Sequence, residues 1–315
     1  MRQVLVLAGG LSHERDVSLR SGRRVADVLN RSGAEAYVRD VDSTLLNAIR
    51  ATRPEVIWPV LHGASGEDGT LRDVLEALDI AYVGSRPASC RLTWDKPVAK
   101  ALVGAAGVSC PAGMALSHAT FRELGAPALL ESVIDSLGLP LAVKPSRGGS
   151  SLGLTIVRSA TELPSAMVTA YAYGDIALIE RFIDGVEVAV SIVEDASGQA
   201  LTLPAVEIVP DGGVYNYEAR YTAGATEFFT PARLSSSAVA SAAAVSLTAY
   251  RTLRHQHLSR VDLIIDADER PWFLEANVSP GMTETSLLPM AVEAAGMDAT
   301  AVYAGIVDRA LKRTS

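Results

Sequence analysis

The chain is poor in cysteine: of 315 residues only Cys90 and Cys110 are cysteines, and their spacing is not that of a metal site. A disulfide framework is excluded, and both read as reduced, structural thiols. Positive charge is also scarce. Lys and Arg number 28 against 36 Asp and Glu, a formal charge of −8. Nucleic acid calls for a basic stripe and an anionic membrane for a basic face, so neither partner is expected. Long apolar runs are missing too. The stretch at 3–8, QVLVLA, stops at Gly9-Gly10, too short for a signal peptide and right for a first strand. Residues 236–250 are Ala-rich but broken by serines and too short to span a membrane. There are no repeats and no low-complexity tail. What is present, 49% hydrophobic and 20% charged residues, predicts a folded cytoplasmic protein with a sizeable core. The length predicts two or three domains.

Alternating apolar runs and helical patterns fill the first third. The strand at 3–8 precedes a helix with Val17, Ser21, Val25, Val28 and Leu29 on one face, ended by Gly33. A strand at 36–41, a helix near 43–51, a strand at 56–60, a helix carrying Leu71, Val74, Leu75 and Leu78, and a strand at 81–84 follow. This alternation predicts a parallel sheet with helices on both faces, a domain spanning 1–95. Strands at 141–144, 154–157 and 176–182 with a helix near 161–172 predict a small α+β domain, 96–183. Strands at 188–193 and 201–209, a polar Gly/Tyr-rich segment at 210–228, a helix at about 236–254, strands at 260–265 and 271–276 and two last helices predict a third, 184–315.

Four constellations carry chemistry. Lys144-Pro-Ser-Arg-Gly-Gly-Ser-Ser-Leu-Gly153 lies between two strands. Its exposed N–H groups can fold over a polyphosphate with Lys144 at the base, or it is an ordinary Gly-rich hairpin. It is not a Walker loop, because the Gly-Lys-Ser/Thr ending and the following helix are missing. Arg260 and Asp262 share a strand face, as do Glu275 and Asn277. On neighbouring strands they form an all-oxygen ligand set suited to Mg²⁺ beside an arginine; otherwise they are ion pairs at a sheet edge. Ser279 to Met290 places Gly281 before a helix whose first turn is Ser286-Leu287, either a carboxylate site or a plain N-cap. Glu14 follows the first strand, where ligands of open α/β sheets sit, and can receive an ammonium or complement the helix dipole. His62 and Glu67-Asp68-Gly69 follow the third strand in the same way, though a lone histidine is more often structural.

These pieces occur in one family's order. LAGGLSHERDVSLRSG, LHGASGEDGTL, WDKPVAK, VKPSRGGSSLG, LIERFIDGVE, YNYEARY, RVDLIID and LEANVSPGMTETSLLPMA resemble successive motifs of the D-alanine–D-alanine ligases, over roughly residues 3 to 310. The resemblance implies an α/β (α+β) ATP-grasp fold of three domains enclosing ATP, with 210–228 as a lid. It implies a cytoplasmic homodimer that joins two D-alanines through an acyl phosphate for peptidoglycan precursors. By resemblance Lys96, Lys144, Ser151 and Arg220 hold ATP phosphates, and Glu180, Phe182, Ile183 and Glu187 surround the adenosine. Asp262, Glu275 and Asn277 bind two Mg²⁺, with Mn²⁺ as the substitute, and Arg260 with the Gly281 N–H stabilises the oxyanion. Glu14 pairs with the first ammonium, with His62 nearby; Ser286 and the Leu287 N–H take the second carboxylate; Glu14, Ser150 and Tyr221 match the triad that closes the lid.

Four positions depart from the family: Arg220 for lysine, Gly148 for glutamate, Asp73 for a small residue and Arg233 for glycine. They leave open a paralogue that joins or cyclises another D-amino acid, in antibiotic biosynthesis or self-resistance. A nucleotide-binding protein without catalysis should have lost Arg260 or a metal ligand, and this chain keeps them.

Overall fold

The computed structural model describes residues 2–222 and 224–313, with the side chain of Tyr221 outside the description. Its first part runs β1 (Gln3–Leu7), α1 (Arg15–Arg31), β2 (Glu35–Arg39), α2 (Leu45–Thr52), β3 (Val56–Pro59), α3 (Ala64–Glu67), α4 (Thr70–Ala77), β4 (Ala81–Tyr82) and α5 (Pro87–Trp94). The strands make a parallel sheet in the order β2-β1-β3-β4. Side-chain alternation along β1 explains why helices cover both faces. Val4 and Val6 pack with Val25, Val28 and Leu29 of α1, whereas Leu5 and Leu7 pack with Leu45 and Ile49 of α2 and Leu75 of α4. Each such buried aliphatic contributes about 1.5–3 kcal/mol.

The second part comprises α6 (Lys96–Ala105), β5 (Gly113–Ser117), α7 (His118–Leu124), α8 (Ala126–Leu137), β6 (Leu141–Pro145), β7 (Thr155–Val157), α9 (Leu163–Tyr171) and β8 (Ile176–Arg181). Its sheet is antiparallel, β5-β8-β6-β7, so the Gly/Ser-rich stretch is the loop of the β6–β7 hairpin. The third part comprises β9 (Val186–Glu194), β10 (Ala200–Thr202), β11 (Val206–Pro210), α10 (Tyr217–Tyr221), β12 (Thr226–Phe229), α11 (Ser236–Thr252), β13 (Leu258–Ile265), β14 (Pro271–Asn277), α12 (Leu287–Ala294) and α13 (Ala299–Leu311). Its strands run β12-β11-β9-β13-β14, with β10 beside β9.

Three sequence expectations change. The strand expected at 201–209 is two strands, both paired to β9, and Pro204 in the gap has no N–H to donate to a ladder. Segment 210–228 is not irregular throughout. It contains α10, capped by the Asn216 side chain accepting from the Ala219 N–H, and most of β12. Tyr215 is buried there, edge-on to Phe228 with ring centroids 6.2 Å apart. The last loop also enters its helix one residue late, since α12 begins at Leu287.

Packing crosses the sheets. Helix α6 precedes the second sheet but buries Ala99 and Val103 in the core of β9, β13 and β14. Helix α13, at the far end of the chain, packs on α1 and places Tyr303 5.4 Å from Trp58 of β3. Among the described residues no single helix is long and apolar enough to cross a membrane.

Candidate active site

The loop after β1 is held from below. The Gly9 N–H donates to Ser18 Oγ at 2.9 Å, and that hydroxyl donates to the Val60 carbonyl at 2.6 Å. The Gly10 N–H donates to Asp40 Oδ1 at 2.9 Å. The Asp40 carboxyl is lowered to about 2, chiefly by its hydrogen bond to the Arg15 guanidinium. Glu14 occupies the N-cap of α1 but makes no capping bond. Its carboxylate instead accepts from Ser150 Oγ of the β6–β7 loop. The dipole reading therefore gives way to a carboxylate facing the cleft.

His62 follows β3 and is buried. Burial and the Arg260 charge hold its pKa below the ordinary value, against the pull of Glu14, so the ring is neutral near pH 7. Nδ1 lies 3.1 Å from the Ser279 carbonyl, which only accepts, so Nδ1 carries the proton. Nε2 is then an acceptor with no partner among the described residues.

The β6–β7 loop is anchored on both sides. Lys96 Nζ donates to the Gly148 carbonyl at 2.6 Å and stands 3.5 Å from Glu275 Oε2. Arg147 pairs with Asp95 at 2.9 Å. Ser150 and Ser151 have φ of 52° and 56°, left-handed values that few L residues adopt. Such strain persists where neighbours over-determine the backbone. Here Ser151 Oγ donates to the Tyr215 carbonyl at 2.9 Å and accepts from Arg220 Nε at 3.2 Å. The Arg220 guanidinium stacks 4.1 Å from the Tyr215 ring centre.

Beneath the loop lie β13 and β14. Arg260 is opposite Asn277 and Asp262 opposite Glu275, as the shared faces required. A bulge between Asp262 and Leu263 then shifts the register. It lets Phe273 point into the core while Glu275, two residues on, faces the cleft. Arg260 grips Asp262 through two bonds of 2.7 and 2.8 Å. Burial alone would raise Glu275, but Lys96, Lys144, Arg220 and Arg260 hold it at about 2. Glu180 sits deeper, 2.7 Å from Lys100 and 3.0 Å from Lys144. Its burial also opposes charge, and Lys144 and Lys100 hold its pKa below the ordinary value.

Two carboxylates and an amide oxygen are hard ligands, but fewer than the six Mg²⁺ takes, so phosphate oxygens or water must complete such a site. The donors fit that role. Glu275 is ionised and faces the cleft, and each Asp262 oxygen keeps a lone pair beyond its bond to Arg260. Among the described residues no group of three or more His, Cys, Asp and Glu could hold a metal alone.

At the other end Ser286 is the N-cap of α12 without making the capping bond. Its hydroxyl accepts from the Thr283 N–H at 3.0 Å. The first-turn N–H groups of α12 consequently lack a side-chain cap from Ser286. A Cβ on Gly281 would lie 2.7 Å from Ser286 Oγ, so glycine keeps this corner open.

These groups line two adjoining cavities. One, of about 400 Å³ between the second and third sheets, is lined by Lys144, Ser151, Glu180, Phe182, Ile183, Glu187 and Asp262. The other, of about 560 Å³ between the first and third sheets, is lined by Glu14, His62, Ser150, Arg260, Asn277, Gly281, Ser286 and Leu287. Lys96, Gly148, Gly149, Tyr215, Arg220 and Glu275 line both. Every expected site residue is thus brought together except Tyr221, whose side chain lies outside the described residues. Sequence reasoning gave no role to Glu67, Lys100 or Tyr215. Lys100 is one helical turn from Lys96, a spacing that could have revealed it.

The four departures separate. Asp73 pairs with Arg91 at 2.6 Å on an exposed face joining α4 to α5. Arg233 binds Glu207 through two bonds and stacks 3.5 Å from the Phe229 ring centre. Gly148 supplies a carbonyl to Lys96, and a Cβ there would meet open space. Of the four, only Arg220 brings a side-chain charge to both cavities.

The family profile described as the C-terminus of D-Ala–D-Ala ligase matches residues 102–308. The D-alanine–D-alanine ligase of Bordetella petrii is 40% identical over 98% of this chain and 92% of its own. Among solved structures, the Bacillus anthracis D-alanine–D-alanine ligase complexed with ATP superposes with a TM-score of 0.80 at 28% identity, covering 99% of this chain and 98% of the other. The VanG D-Ala:D-Ser ligase of Enterococcus faecalis gives 0.83 at 26%, covering 97% and 98%.

Proposed function

Since the chain belongs to the D-alanine–D-alanine ligase family, we propose that it joins two D-alanines with cleavage of ATP to ADP and phosphate. The observation that carries this reading is the wall common to the two cavities. Lys96, Arg220 and Glu275 face both, so a nucleotide in one and amino acids in the other meet there. A carboxylate oxygen of the first D-alanine attacks the γ-phosphorus and forms an acyl phosphate. The amine of the second then attacks the acyl carbon, and phosphate leaves with that carboxylate oxygen.

Lys96 and Lys144, with Ser151 and Arg220, hold the phosphates. Phe182, Ile183, Glu180 and Glu187 line the adenosine end. Burial raises Glu187 to about 7, with Asp262 and Glu275 adding to the shift, and it makes no ion pair among the described residues, so it can accept from ribose hydroxyls. Asp262, Glu275 and Asn277 would hold Mg²⁺ (two ions by resemblance, or Mn²⁺), which supplies positive charge against the phosphate oxygens. On this reading Arg260 and the Gly281 N–H receive the oxyanion of the tetrahedral intermediate. Glu14 takes the first ammonium, near His62. Ser286 and the Leu287 N–H take the second carboxylate, one of the free donors at a helix start. Two amino acids gripped by opposite charges at opposite ends of a cleft are oriented head to tail.

On this reading 1–95, 96–183 and 184–315 act as three domains, 210–228 is the lid, and Tyr221 joins Glu14 and Ser150 in closing it. The protein is a cytoplasmic homodimer serving peptidoglycan precursor synthesis. Likeness to a D-Ala:D-Ser ligase supports a second reading, with another D-amino acid in the second place. Phosphate release from ATP and Mg²⁺, screened over D- and L-amino acids and D-lactate with mass identification of products, tests both. D-alanyl-D-alanine as the main product is expected. A mixed dipeptide or a cyclised product favours the paralogue, and nucleotide binding without phosphate release excludes both.

A further inference from the structure

Glu67 ends α3 and is 7% exposed, yet its carboxyl makes no hydrogen bond or ion pair among the described residues. Its place is fixed by backbone. The Gly66 and Glu67 N–H groups both donate to the Gly63 carbonyl, at 3.1 and 3.0 Å. A Cβ on Gly66 would lie 2.0 Å from the Leu61 carbonyl oxygen, and the buried Arg72 guanidinium donates to the Gly66 carbonyl. The carboxyl so placed lines the cavity that Glu14 lines. Measured from the Cβ position of Gly149, Glu14 Oε2 lies at 3.3 Å and Glu67 Oε2 at 3.9 Å. Ser286 lines the same cavity beside Gly281.

Two carboxyl groups face one small volume, one of them buried and without an ion-pair partner among the described residues. Lys96 and Arg260 on the same cavity are already engaged, the first with Gly148 and Glu275, the second with Asp262, so the pair can take one more positive charge. We propose that Glu67 is a second acidic anchor for the ammonium of the first D-amino acid, clamping that cation together with Glu14. The assignment rests on the proposed function and adds to it a residue that restricts the first substrate to a free primary ammonium.

The protonation chemistry follows from the surroundings. Burial raises Glu67 to about 8, and the Glu14 and Glu275 charges add to the shift while Lys96 and Arg260 oppose it; His62 in the same cavity is neutral. The ligand-free protein therefore holds a proton on Glu67 at pH 7. An ammonium arriving between the two acids favours both carboxylates, so that proton leaves to solvent as the cation binds, and charge balances.

The test is calorimetric titration of D-alanine into the complex with a nonhydrolysable ATP analogue and Mg²⁺, at pH 7 in buffers of different ionisation enthalpy. Release of about one proton per first-site D-alanine is expected, with the release lost in Glu67→Gln and kept in Glu67→Asp. Loss of one hydrogen bond to a charged group should raise the Michaelis constant for the first D-alanine in Glu67→Gln about ten- to a hundredfold. The second-site constant and nucleotide affinity should stay within about twofold of wild type. Proton release that persists in Glu67→Gln, or a change confined to the second constant or equal in both, overturns the assignment. Should Glu67→Gln fail to fold, a Glu67→Asp variant without proton release does the same. A wild-type protein that releases no phosphate with D-alanine removes the proposed function instead, and the titration is then read with other D-amino acids.

Discussion

The two cavities treat charge in opposite ways. On the nucleotide side the acids are matched before anything binds. Glu180 lies between Lys100 and Lys144, Asp262 is gripped by Arg260, Glu207 by Arg233, and Glu275 is held ionised by Lys96 and its neighbours. Glu187 is the exception, half-buried and without an ion-pair partner among the described residues. On the amino-acid side Glu67 is buried without a cation and His62 Nε2 without a donor. A phosphate-binding surface has to be rigid and charged in advance, because transition-state stabilisation comes from groups that need not reorganise. An ammonium brings its own charge, so its site can stay incomplete until it arrives. The contrast supports the proposed assignment of the first cavity to a polyanion and of the second to zwitterions.

The severest way to break the comparison is at the shared wall. Glu275→Gln keeps size but removes the charge both cavities depend on, and kcat should fall to background while the thermal transition persists. Turnover within about twofold of wild type would take Glu275 out of the site. Neutralising one acid on each side sharpens the contrast. Glu180→Gln strands two buried lysines and should destabilise the fold by about 3–5 kcal/mol. Glu67→Gln replaces an acid that is already neutral in the fold, so near pH 7 it should leave stability unchanged or raise it. The sign is set by the shift. Glu67 is raised in the folded state from near 4.5 to about 8, so its contribution is fully present below 4.5 and is lost as pH rises through 8. Thermal melts of wild type should fall relative to Glu67→Gln across that interval, and parallel curves would refute the buried acid.

Smaller effects belong to the ends of the amino-acid cavity and to its cover. Ser286→Ala should raise the second-substrate Michaelis constant about ten- to a hundredfold and leave the first nearly unchanged. Equal changes would return Ser286 to a plain helix start. In the segment 210–228, Tyr215 is buried while Gly212 and Gly213 are exposed, so this stretch should open locally. Hydrogen exchange there should slow when nucleotide and D-alanine bind. Identical protection with and without ligands speaks against a lid.

Much of this was legible in the sequence because period-two faces and strand ends are local properties. The pairings Arg260 with Asp262 and Glu275 with Asn277 needed only alternation, and the motif order supplied the rest. What escaped depends on distant partners. The bulge at Asp262 and Leu263 lets Phe273 and Glu275 diverge, and no local pattern marks it. Pro204 was a visible breaker inside a run read as one strand. Glu67 follows the third strand as His62 does, but its isolation depends on Leu61, Gly66 and Arg72, which fix it only in the fold. Helix α6 packs on the third sheet because Ala99 and Val103 find their core there, a choice made by tertiary packing.

The central claim, that a carboxylate is activated by phosphoryl transfer at the shared wall before an amine attacks it, can be tested by following one oxygen. With ATP, Mg²⁺ and D-alanine labelled with ¹⁸O in its carboxylate, each dipeptide formed should deliver one labelled oxygen into the released phosphate. Dipeptide formed with unlabelled phosphate would contradict the acyl phosphate, and with it the roles of Lys96, Arg220 and Glu275 in phosphoryl transfer.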